Sequence, residues 1–115
     1  MNKNDTLRSD ITTTKDLSTG ELDFTTTVGR KFRLSSVHFH FGAGVTETIT
    51  ITKDSKQGTD YDTVLKSISL SNGTSYTYRP DNDEDFQAGD ELRLQCTNAT
   101  AVTDVFAVIK CRELE

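Results

Sequence analysis

The feature that most constrains the fold is the stretch from residue 30 to residue 53, RKFRLSSVHFHFGAGVTETITITK. Apolar and polar residues alternate along almost all of it, and sustained alternation is the pattern of a half-buried β-strand. Phe32 and Leu34 are apolar at one parity and Val37, Phe39 and Phe41 at the other, so the pattern slips by one residue at Ser35-Ser36. A β-bulge at that point restores it. With Gly42-Ala43-Gly44 as a three-residue loop, the stretch reads as a long β-hairpin. Phe41 then faces Val45, Phe39 faces Glu47, Val37 faces Ile49 and, past the bulge, Leu34 faces Ile51. These residues make a core side, while His38, His40, Thr46, Thr48, Thr50 and Thr52 share a wet side.

The remaining segments carry the same period. Leu22 and Phe24 alternate with Glu21 and Asp23 after the turn signal Ser18-Thr19-Gly20. In DYDTVLKSISL, Val64, Ile68 and Leu70 occupy one parity and Tyr61 and Leu65 the other. A three-residue loop Ser71-Asn72-Gly73, with Gly73 left-handed in a bulge, sets Ile68 opposite Tyr76 and Lys66 opposite Tyr78. Pro80 ends that strand and opens the long polar connection PDNDEDFQAGD, which Phe86 anchors to the core. Gly89-Asp90 turns the chain into ELRLQC, with Leu92, Leu94 and Cys96 inward, and TDVFAVIKC, apolar at both parities, reads as a central strand. Residues 91 to 97 and 103 to 111 are expected to pair as a hairpin.

A chain of 115 residues is long enough for one domain with a real core. It has no Trp, 33% hydrophobic residues and nineteen Thr, which favours half-solvated strands over helices. The expected architecture is all-β, a single antiparallel β-sandwich, jelly-roll or immunoglobulin-like, of about seven to eight strands. It spans residues 21 to 113, behind an N-terminal arm over residues 1 to 20. That arm contains Leu7, Ile11 and Leu17 in a polar field. With so little apolar area it is expected to be extended or disordered, or ordered as an added strand on a neighbouring subunit through Leu7 and Ile11.

The formal charge of −5 argues against nucleic acid and anionic membranes, both of which are bound through clustered Lys and Arg. No stretch approaches the ~20 apolar residues that span a bilayer. The opening MNKNDTLRSD lacks the apolar core of a signal peptide, so synthesis in the cytoplasm is expected. Cys96 and Cys111, at opposite ends of the expected final hairpin, would lie roughly 25 Å apart at ~3.3 Å per residue. That exceeds the ~7 Å limit for a bridge, so both read as reduced, buried side chains.

Few residues suggest chemistry. His38 and His40 project from one strand face, as in some metal sites, but a cupin-like site needs a Glu on that face, and Glu47 falls on the other. Asp81-x-Asp83-x-Asp85 begins like a calcium loop and then places Phe86 and Leu92 where Gly and Glu are required. Asn72-Gly73-Thr74 and Asn98-Ala99-Thr100 match the glycosylation acceptor by chance in a Thr-rich chain. There is no GxSxG elbow, and both thiols sit at apolar positions that raise a thiol pKa. No catalytic, cofactor-binding or metal-binding residue is assigned, and no enzyme is expected. The candidate interface comprises the arm anchors Leu7 and Ile11, the basic Arg30, Lys31 and Arg33, and the acidic Asp81, Asp83, Glu84 and Asp85, which neighbouring copies could set against one another.

Residues 30 to 112, with YDTVLKSISL, then FQAGDELRL and the closing VFAVIKC, resemble small structural proteins encoded among the head genes of tailed bacteriophages. Those proteins typically show a strand resembling xYDTVLxS and a later turn resembling AGDxLxL. The resemblance implies a capsid decoration or cement protein that docks on the outside of the shell and braces joints between subunits. Its partners would be the major capsid protein and further copies of itself, at the virion surface. The alternative is a small receptor- or carbohydrate-binding β-sandwich of a phage tail or fibre, with Tyr61, Tyr76 and Tyr78 as the aromatics available to sugars.

Overall fold

Nine strands carry the alternating segments in the computed structural model, which describes residues 8–27, 29–55, 62–82, 84–99 and 103–113. They are β1 (Arg8–Asp16), β2 (Leu22–Thr27), β3 (Phe32–Val45), β4 (Thr48–Asp54), β5 (Thr63–Ser69), β6 (Gly73–Tyr78), β7 (Glu84–Phe86), β8 (Glu91–Cys96) and β9 (Asp104–Glu113). Two antiparallel sheets result. The first, sheet A, runs β1-β9-β3-β6 with the short β7 also on β3, and the second, sheet B, runs β2-β8-β4-β5. Of the strands consecutive in sequence, only β4 and β5 pair with each other. With β7 set aside, the chain passes between sheets at almost every connection, and the strand order is that of a jelly roll.

The parities expected from sequence hold except in β5, where Val64 is 59% exposed and Leu65 packs against the core with Ile68 and Leu70, the register slipping between Ile51 and Thr52. Leu34, Val37, Phe39, Phe41, Ile49, Ile51, Leu92, Leu94 and Cys96 are all buried between the sheets. The bulge is present as a register shift between Leu34 and Ser36 against β9. Phe86 is fully buried and stacks on Phe32 with ring centroids 4.5 Å apart. Lys53, from sheet B, lies 5.1 Å from the Phe86 ring centroid and donates to the Asp85 carbonyl at 2.8 Å, joining the sheets at this end. The AGD turn also has a physical basis. Gly89 adopts φ 92°, Asp90 N–H donates to Gln87 O at 3.0 Å, and Gln87 N–H donates to the buried Asp90 carboxylate at 2.9 Å.

The strand partners differ from the expectation. β3 and β4 do not form a hairpin: Gly42-Ala43-Gly44 lies inside β3, and the chain leaves sheet A after Val45 to enter sheet B at Thr48. The crossing is held by Glu47, whose buried carboxylate accepts from the Thr97 hydroxyl at 2.7 Å and the Ala99 N–H at 2.9 Å. Likewise β5 and β6 fall in different sheets, and Asn72, not Gly73, takes the left-handed conformation at φ 52°. β8 and β9 also separate, so the Cys96 and Cys111 thiols, both buried and neither in a disulfide, belong to different sheets rather than to two ends of one hairpin. The physical reason is common to all three. Opposed sheets bury both apolar faces, whereas one extended meander would leave a face in water.

The expected boundary at residue 20 also shifts. Arg8–Asp16 pairs along its whole length with β9 of the same chain, and Ile11 packs against the core. Leu17 is fully buried, its N–H donating to Thr103 O at 3.1 Å and its carbonyl accepting from the Asn98 side-chain amide at 3.1 Å. One fully buried Leu contributes about 1.5 to 3 kcal/mol. Residues 8–17 are therefore an edge of the sandwich itself, extended as one of the expected alternatives, and not an arm apart from it. Leu7 lies outside the described residues.

Candidate docking face and edge groove

Sheet A presents its outer surface as cross-strand rows. Phe106 of β9 lies between Thr14 of β1 and His40 of β3, which is followed by Ser75 of β6. The next row is Thr12, Val108, His38 and Thr77, and the next pairs Asp10 and Ser36 across Lys110. Phe106 is 41% exposed, and Val108, two residues on, extends the apolar strip along the same face. Alternation explains the placement: Val105, Ala107, Ile109 and Cys111 point into the core, so the residues between them must point out.

The expected interface residues scatter or satisfy one another. Arg33 and Asp85 are direct partners across β3 and β7, with Arg33 Nε donating to Asp85 Oδ1 at 2.7 Å and Nη2 to Oδ2 at 3.2 Å. Arg30 lies 3.7 Å from Glu113, and Lys31 is exposed. The hydrogen bonds from Arg33, aided by its charge and those of Lys31 and Lys53, hold the Asp85 carboxyl below its ordinary range. The two charged segments thus meet inside one chain, so Arg33 and Asp85 are not free to set one copy against another. Glu84 and Asp81 lie near Tyr78 and help push its phenol up, after the larger effect of burial. Asp83 lies outside the described residues.

The histidines part company. His38 Nδ1 and Thr77 Oγ1 share a hydrogen bond at 2.6 Å, whereas His40 is exposed beside Phe106. Glu47, placed on the opposite side of the strand by sequence, is buried at the sandwich end as described above. The described residues contain no group of three or more His, Cys, Asp or Glu side chains arranged to hold a metal.

Two features were not anticipated. On the outside of sheet B, Arg93 grips Asp23 through Nε and Nη2 at 2.8 and 2.7 Å, and the neighbouring Asp54 has its carboxyl pushed up by burial and then by Asp62. Arg93 pairs with Thr25 and Thr52, which leaves Asp23 and Asp54 as its diagonal neighbours, and no local sequence signal announces the cluster. The second is the edge strand β6. Tyr76 and Tyr78 face inward opposite Phe39 and Val37, at a cleft of about 400 Å³ between the sheets that also takes in Lys66, Arg79 and Asp81. A second depression, of about 490 Å³, lies over the outer surface, lined by Ser36, His38, Thr77, Arg79, Val108 and Lys110. Alternation of Tyr, Thr, Tyr and Arg over residues 76 to 79 is the sequence signal for this pair of hollows. Tyr61 lies outside the described residues.

No protein-family model matches the chain. No curated protein matches it either. Among solved structures, the chain is similar to one reported as the crystal structure of PirA, at 18% identity and a TM-score of 0.48, over 90% of this chain and 92% of that chain.

Proposed function

We propose that this chain is a non-enzymatic virion structural protein that docks on the outer capsid surface of a tailed phage and braces joints between subunits. The observation that carries the reading is the strip of Phe106 and Val108 on the outer surface of sheet A. A large ring left 41% exposed on an interior strand of a sheet is surface that an apolar partner can cover. Thr12 and Thr14 flank the strip on β1, adding hydroxyls without charge to be desolvated. The resemblance of residues 30 to 112 to phage head proteins names the partner as the major capsid protein, with further copies of the chain on the shell.

On a lattice, many weak contacts act together, so one modest patch repeated over the shell is enough for firm attachment. The test is co-sedimentation with undecorated capsids. The intact protein is expected to pellet with the shell, and Phe106→Glu, which places a charge in the strip without touching the core, to remain in the supernatant. Failure of the intact protein to bind any capsid overturns the reading.

A further inference from the structure

The two hollows beside β6 adjoin, because Thr77 and Arg79 line both. Together they form a saddle over the edge strand, with tyrosines on its inner side and Ser36, His38 and Lys110 on its outer side. Three exposed cations, Lys66, Arg79 and Lys110, converge there, and none of them has an ion-pair or hydrogen-bond partner among the described residues. In a chain of net charge −5, these three cations outnumber the two carboxylates beside them, Asp81 in the inner hollow and Asp10 opposite Lys110. Nothing in the core needs the cations.

We propose that this saddle is a binding site for an acidic carbohydrate, a chain in which carboxylated or sulfated sugars are interspersed with neutral ones. The lining matches both halves of such a ligand. Arg79, shared by the hollows, has the planar fork that accepts a carboxylate or sulfate in two parallel hydrogen bonds, and Lys66 and Lys110 supply point charges on either side. Ser36, Thr77 and the two phenols offer the donors and acceptors that sugar hydroxyls require. The hydrogen bond between His38 Nδ1 and Thr77 Oγ1 occupies one ring nitrogen and fixes the ring, leaving Nε2 for a ligand. Both phenols can donate at neutral pH, and burial pushes their pKa further up from the ordinary 10.0.

Asp81 narrows the class further. A carboxylate in the wall of the inner hollow accepts hydrogen bonds from neutral sugar hydroxyls and repels a second anion. That disfavours a polymer charged at every unit, such as single-stranded nucleic acid, and fits one whose acidic groups are spaced apart.

Amide NMR of the full chain, titrated with hyaluronate and unsulfated chondroitin oligosaccharides, in which carboxylated sugars alternate with neutral ones, tests the proposal. At least one of them is expected to shift residues 36 to 38, 77 to 79 and 110. Carboxyl-reduced hyaluronate and a single-stranded oligonucleotide of equal length are expected to bind at least about tenfold more weakly than the best acidic probe. Arg79→Gln and Lys110→Gln, both at exposed positions, should each lose about tenfold in affinity with an unchanged melting curve, as expected for a lost charge-assisted hydrogen bond. The proposal is overturned if neither acidic probe shifts these residues, if the reduced probe binds as well as the best acidic probe, if the oligonucleotide binds more tightly, or if Arg79→Gln binds unchanged. The assay contains no capsid, so its outcome is separate from that of the docking experiment.

Discussion

Arg33 and Asp85 face each other across β3 and β7 in a two-pronged ion pair, at 2.7 and 3.2 Å. The pair closes the short strand β7 onto the sheet, next to the Phe32 and Phe86 stack. Both side chains remain more than a third exposed, at 36% and 39%, so water and salt screen them.

A double-mutant cycle on Arg33→Ala and Asp85→Ala is therefore expected to give a coupling of about 0 to 1 kcal/mol, read by urea titration. The folded Asp85 carboxyl titrates below its ordinary value of 3.8. Its contribution is thus complete above that value and disappears as pH falls through the lower, folded value. Coupling that strengthens as pH falls below 3.8 would reject the ion pair.

Glu47 is the buried staple between sheets, accepting from Thr97 and Ala99. Glu47→Ala removes the acceptor and strands a hydroxyl and an N–H, at an expected cost of about 1 to 3 kcal/mol. Glu47→Gln retains one acceptor oxygen and should lose less. Equal losses in denaturant titration would show that the volume of the side chain, and not its hydrogen bonds, matters at the crossing.

Phe39 is fully buried between β6 and β9. Phe39→Ala should cost about 3 to 5 kcal/mol by combined transfer and cavity terms. A loss below about 1 kcal/mol would be incompatible with its position.

Burial pushes the Cys96 thiol up to about 12, with Glu47 and Glu21 adding to the effect, and raises Cys111 as well. At pH 8 only about one Cys96 in ten thousand would be thiolate, so maleimide labelling of the folded protein should wait on unfolding. Because the folded value is raised, this stabilisation is full below pH 9.0 and is lost between 9.0 and about 12. Rapid labelling of Cys96 at pH 8 without denaturant would contradict the burial.

Removal of residues 1 to 16 deletes β1, which pairs over nine residues with β9 and carries Ile11 onto the core. The truncated protein should melt lower, by roughly 4 to 8 °C for each kcal/mol lost. An unchanged melting curve would return this segment to the status of an independent arm.

The alternation of residues by itself determined which side of most strands is buried, though not of β5, where Val64 is exposed, nor of β9, which is apolar at both parities. Val37, Phe39 and Phe41, the bulge at Ser35-Ser36 and the anchor Phe86 were all legible, because side-chain direction has a period of two that depends only on the local backbone. Partner choice was decided by the tertiary structure. Val45 and Ile49 are apolar whether β3 and β4 pair side by side or face each other across a core, so the pattern is silent between hairpin and crossing. Closing two sheets over one core settles it, and Glu47, apparently a lone charge on an apolar face, becomes a satisfied staple only when residues 97 to 99 arrive from far along the chain. The same holds for the surfaces. Sequence named the charged segments, but the pairing of Arg33 with Asp85, and the convergence of Lys66, Arg79 and Lys110 from three strands or their ends, exist only once the sheets are assembled.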